Sequence, residues 1–146
     1  MTIAIGSDHA GFELKEKVKS ILMELGEGVV DFGTDGKDSV DYPDYGLRVA
    51  NAVANGEANR GIAICWTGNG MTIAANKVKG IRATLCLNRE MAYYARLHNN
   101  SNVLTMSQKY TDPDEVEEIL KMWLETEFEG GRHERRLNKI KEAEEI

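Results

Sequence analysis

Short, almost wholly apolar runs alternate with amphipathic stretches along this chain, and that alternation constrains its fold more than any other feature. Residues 2–7, 61–66, 82–87 and 102–106 are runs of this kind, and residues 27–32 add a more polar one. Between them lie segments with helical spacing. Residues 11–25 place Leu14, Val18, Ile21, Leu22 and Leu25 on one stripe before Gly26, and residues 44–55 follow Pro43 and stop at Gly56. Residues 71–77 read as a short helix, Asn88 as the cap of a helix reaching about residue 97, and Asp112-Pro113-Asp114 as the start of one reaching about residue 128. Strands apolar along their whole length are buried on both faces, which means a parallel sheet between helical layers. Right-handed crossovers then predict an α/β fold: a three-layer, doubly wound, Rossmann-like domain with a five-stranded parallel sheet. A C-terminal helical extension follows Gly130-Gly131 over about residues 131–145, and the 146 residues are expected to form one domain.

Charge narrows the function classes. The net charge is −6, which argues against a nucleic-acid binder. Residues 130–141 are the exception. Arg132, Arg135, Arg136, Lys139 and Lys141 face one acid, Glu134, giving +4 there and −10 elsewhere. That patch is a candidate anion site. No apolar run approaches a membrane span, and the first residues lack the pattern of a signal peptide. Cys65 and Cys86 form no CxxC or Cys/His metal spacing, so a reducing, cytoplasmic setting without metal or cofactor is expected.

Ligands of such folds bind outside the carboxyl ends of the strands. Two segments there are unusual. Gly6-Ser7-Asp8-His9-Ala10-Gly11 follows the first strand, and Cys65-Trp66-Thr67-Gly68-Asn69-Gly70-Met71 joins the third to a helix. Gly68 and Gly70 allow close approach of backbone to a ligand, with donors for a phosphate or an enediolate oxygen. A Gly-x-Gly pair serves a plain tight turn equally well, because it lacks the rest of a dinucleotide or P-loop signature. A thiol at Cys65's position can be activated, whereas Cys86, inside an apolar run, reads as core. Asp8 alone reads as a helix cap. Arg132 and Arg136, four residues apart, share one helix face, while Arg135 points elsewhere and reads as a solvated charge.

These segments, with Asp41-Tyr42-Pro43, Ala74-Ala75-Asn76-Lys77, Gly80-Ile81-Arg82-Ala83, His98-Asn99, Asn102-Val103-Leu104 and Glu129-Gly130-Gly131-Arg132-His133, resemble in colinear order the ribose-5-phosphate isomerase B family. That family shares a superfamily with galactose-6-phosphate isomerase subunits. The resemblance implies interconversion of ribose 5-phosphate and ribulose 5-phosphate through a cis-enediol, without a metal and within the pentose phosphate pathway. It implies Cys65 as the base that carries a proton between C2 and C1. The backbone of Trp66, Gly68, Asn69, Gly70 and Met71 would hold the enediolate oxygen. It implies Thr67 and His98 for ring opening, Asp8, Tyr42 and Asn99 toward the sugar, and His9, Arg132 and Arg136 on the phosphate.

The strand–helix order places His98 and the basic segment at the sheet edge opposite Cys65. If they serve one site, they do so across a homodimer, or a dimer of dimers, with the terminal helix packed on the partner. Two departures stand out: Trp66 follows the cysteine where relatives usually have glycine, and Lys109 stands where they often have arginine. The alternatives are isomerisation of a hexose 6-phosphate, galactose or allose, and a non-catalytic sugar-phosphate-binding module. The Cys65, Thr67 and His98 set speaks against the second.

Overall fold

Continuous apolar runs need cover on both faces, and in the computed structural model of the chain, which describes residues 1–145, the three central strands have it, while the edge strand over residues 28–31 is partly exposed. Five strands, β1 (Thr2–Ser7), β2 (Gly28–Asp31), β3 (Arg60–Cys65), β4 (Ala83–Leu85) and β5 (Val103–Ser107), form one parallel sheet in the order β2-β1-β3-β5-β4. Six helices accompany them: α1 (Phe12–Glu24), α2 (Tyr42–Ala54), α3 (Asn69–Ala75), α4 (Arg89–Leu97), α5 (Val116–Glu125) and α6 (Arg132–Glu144). This is the three-layer, doubly wound arrangement expected from the sequence. Among the described residues no helix is long and apolar enough to cross a membrane.

The two faces of the sheet differ in side-chain size. Alternation along the central strands sends Ile3, Ile5, Ile62, Ile64, Leu104 and Met106 into the main core, against Leu14 and Val18 of α1, Ala92 and Ala95 of α4, and Ile119, Leu120 and Trp123 of α5. The other face is made of Ala4, Ala63, Cys65 and Val103, packed by α2 and α3. Gly61 belongs there too, and a Cβ on it would lie 2.6 Å from Val49 Cγ1, so α2 approaches closer than side chains would permit.

Boundaries shift where local chemistry overrides periodicity. The helix expected over 112–128 begins as a 3₁₀ turn at Pro113–Glu115, its first amide donating to Asp112 Oδ1, and α5 stops at Glu125 because Thr126 is extended. α2 starts at Tyr42 and α3 at Asn69, each two residues early, which brings Tyr42 and Asn69 into first helical turns. The cap at Asn88 is as expected: its Oδ1 accepts from the Met91 amide at 2.9 Å.

Candidate active site

At the carboxyl edge of β1 and β3 the chain builds one cluster. Asp8 is buried, its amide donates to Ile64 O, and its Oδ1 accepts from the Gly11 amide at 3.0 Å. Gly11 is required there: a Cβ would lie 2.6 Å from Ile64 O. The neighbouring His9 accepts a hydrogen bond at Nδ1 from the Val40 amide at 3.1 Å. That bond leaves the proton on Nε2, so a neutral His9 offers a donor to the open hollow beside it. The hollow, about 580 Å³, is bounded by His9, Glu13, Lys37, Trp66, Gln108 and Lys109. Trp66 is half-exposed on its rim, with the Lys109 ammonium 5.9 Å from the ring centroid and the Lys109 amide donating to Trp66 O.

Cys65 ends β3, 5% exposed and unpaired, beside Ala63, Met71 and Tyr45. Its loop turns sharply into α3 through Gly68, at φ +87°, where a Cβ would also meet Leu85 Cδ1 at 2.5 Å. Thr67 Oγ1 accepts from the Asn69 amide, and Gly68 O accepts from the Thr72 amide and hydroxyl. The amides of Gly70 and Met71 fall in a first helical turn, which has no backbone acceptor to offer them. Tyr42 lies over this turn: a Cβ on Gly70 would be 2.5 Å from Tyr42 Cε1 and 3.0 Å from its hydroxyl. Thiol, buried carboxylate, phenol and free amides therefore share one carboxyl-edge cluster.

The remaining candidates form a second cluster, at the opposite edge. His98 caps the C-terminus of α4, before β5 begins at Val103, whereas Cys65 pairs with Ser107 at β5's far end. The strand between them spans about 13 Å. His98 stacks on His133, with ring centroids 4.1 Å apart and planes 14° apart, and leans on Tyr94. Glu129 Oε2 lies 3.8 Å from His98 Nε2 and 3.5 Å from His133 Nε2. Arg132 and Arg136 are exposed on α6, and among the described residues neither has a carboxylate within 4 Å. Asn99, also exposed, borders a hollow of about 450 Å³ between Thr84 and the α6 residues Leu137 and Ile140.

Sequence reasoning missed Glu129 and the burial of His133. The three side chains place potential ligand atoms within 4.8 Å of one another, a grouping that linear spacing did not announce. Nearly parallel rings keep their lone pairs in separate planes, so one ion about 2.1 Å from each nitrogen would not lie in the plane of both.

The profile of the family described as Ribose/Galactose Isomerase matches residues 3–140. This chain belongs to that family. Ribose-5-phosphate isomerase B of Escherichia coli (strain K12) is 44% identical over 138 residues, 94% of this chain and 93% of that protein. D-erythrulose-4-phosphate isomerase of Pectobacterium atrosepticum is 39% identical over 142 residues, 96% of this chain and 93% of its own length. The solved ribose-5-phosphate isomerase B of Clostridium thermocellum superposes with a TM-score of 0.98 at 51% identity, covering 99% of this chain and 98% of that one. Near-complete coverage in each case means that both clusters fall within the part shared with other members of the Ribose/Galactose Isomerase family.

Proposed function

We propose that the chain interconverts ribose 5-phosphate and ribulose 5-phosphate through a cis-enediolate, with Cys65 as the base. The observation that carries this is the thiol's position: it ends β3 beside a loop whose Gly70 and Met71 amides have no backbone acceptor, with Asp8 and Tyr42 in the same cluster. As a thiolate, Cys65 removes the proton from C2 of the open aldose and returns it to C1. The C2–H pair becomes the C1=C2 bond as O1 takes up the charge; a proton then passes from O2 to O1, the carbonyl forms at C2, and the C1=C2 pair takes the proton at C1, so no oxidant is needed. Loop amides stabilise the enediolate oxygen where its charge develops. Thr67 and His98 serve ring opening, Asp8, Tyr42 and Asn99 hold hydroxyls, and His9 Nε2–H, Arg132 and Arg136 hold the phosphate.

Because the two clusters lie at opposite edges of the sheet, a complete site takes its thiol cluster from one chain and its histidine–arginine cluster from another. A homodimer, singly or as a dimer of dimers, provides that, and α6 is the element that reaches the partner. On this reading each chain is one isomerase domain, and the reaction belongs to pentose phosphate metabolism in the cytoplasm.

A second reading keeps the chemistry and changes the sugar. The Pectobacterium relative is named for a four-carbon phosphate, and Trp66 occupies the rim of the hollow beside His9. Initial rates across four-, five- and six-carbon aldose phosphates separate these readings. For the mechanism, Cys65→Ala is expected to bind ribose 5-phosphate but to lose at least about 10³-fold in kcat. It is also expected to stop incorporation of deuterium from heavy water into the sugar carbon. A variant that still turned over would rule Cys65 out as the base.

A further inference from the structure

One carboxylate stands between two stacked imidazoles, and neither it nor the inner ring has a place in the reaction as described so far. Gly130 (φ +73°) and Gly131 (φ +60°, ψ −128°) take conformations that side-chain-bearing residues avoid. They fold α6 back so that His133 lies flat on His98. The Glu129 amide donates to Leu97 O at 3.0 Å, fixing Glu129 beside the residue that precedes His98, and the His133 amide donates to Gly130 O. His133 is 7% exposed, and among the described residues its Nε2 makes no hydrogen bond, with Glu129 Oε2 3.5 Å away.

We propose that Glu129 and His133 are positioning residues for His98, holding one proton on the stacked pair so that His98 acts as the acid that opens the sugar ring. The proposal rests on the isomerase reading above. Opening breaks the C1–O4 bond: O4 takes the proton from His98, the C1 hydroxyl gives one to water, and His98 is reprotonated from solvent. One carboxylate favours one positive charge on the pair, and two charges on rings 4.1 Å apart repel. Tyr94 on α4 packs against His98, and Arg132 and Arg136 on α6 lie near His133. Burial, with His98 and Arg132 close by, holds His133 below the ordinary imidazole range, which disfavours a proton on the inner ring.

Ribulose 5-phosphate supplies the test, because its 5-hydroxyl is esterified and it cannot close a furanose ring. Exchange of its C1 hydrogen with heavy water reports the enediolate step alone, whereas turnover of ribose 5-phosphate also needs the ring opened. Glu129→Gln is expected to lower kcat for ribose 5-phosphate about tenfold and to move the alkaline limb of its pH profile about one unit toward acid. Exchange from ribulose 5-phosphate should stay within about twofold of the wild type, and Glu129→Asp should recover part of the lost rate. The histidine NMR titration of Glu129→Gln should move the same way, without reference to activity. An unmoved pH limb and titration, or turnover and exchange falling together, would overturn the relay. A wild-type protein inert in both assays would instead overturn the isomerase reading and the relay's role with it.

Discussion

Cys86 follows β4 wholly buried in the main core, its thiol within 3.9 Å of the Thr84 carbonyl and hydroxyl, and burial pushes its thiol up to about 11. A thiol held there stays protonated at neutral pH, which makes Cys86 a poor candidate for the proton transfer proposed for Cys65. The placement of Cys86 in the core and of Cys65 at the carboxyl end of a strand was legible in the sequence, because one lies inside an apolar run and the other stands where a run gives way to a glycine loop. Gly70 tests how closely the loop and Tyr42 are matched. Gly70→Ala would drive a methyl into the Tyr42 ring, which is partly exposed and free to swing outward. The expected result is a KM for ribose 5-phosphate raised several-fold with little change in thermal unfolding, read by steady-state kinetics beside calorimetry.

At the scale of elements, α1 is fastened to β2 by a charge cluster rather than by apolar contact alone. The Lys15 ammonium, fully buried, and that of Lys19 both donate to Asp31 Oδ2, at 2.6 and 2.7 Å. Burial works to raise the Asp31 pKa, but the hydrogen bonds from Lys15, Lys19 and the Gly33 amide outweigh it and hold the carboxyl below its usual range. A carboxylate depressed on folding contributes stability above its unfolded pKa and loses it as pH falls through the folded value. Asp31→Asn, which leaves the buried Lys15 ammonium only the Glu16 carboxylate at 3.6 Å, should cost about 2 kcal/mol in urea unfolding at pH 7. The gap between variant and wild type should narrow as pH is lowered into the acid range.

Such a clamp is invisible to periodicity, which reads Lys15 as a surface residue among Leu14 and Val18. The strands themselves were legible because continuous apolar runs bounded by glycine admit few other structures. The end of α5 was not, since Leu124 and Phe128 continue the helical spacing past the point where Thr126 turns extended. Glu129 was hidden for a related reason. Its contact with His98 spans about thirty residues and depends on two glycine conformations that a residue pattern does not encode.

For the whole molecule, the separation of the two clusters makes a quantitative claim about assembly. Cys65→Ala and His98→Ala chains, each inactive alone, should regain activity when unfolded and refolded together. One site of the mixed dimer would carry both lesions and the other neither. Random pairing makes half the dimers mixed, so about a quarter of wild-type activity is expected. Mixtures that stay inactive would place all the chemistry within one chain.

The small-residue face of the sheet carries a different consequence. Where α2 lies against Gly61 and Ala4, there is little side chain left to shorten, and almost none can grow without lifting the helix. The opposite face, filled by large aliphatic and aromatic groups, can exchange volume between neighbours. Sequence drift should therefore be lopsided. The α1, α4 and α5 side can absorb compensated substitutions, while the α2 and α3 side, which also carries Tyr42 and the cysteine loop, stays nearly frozen.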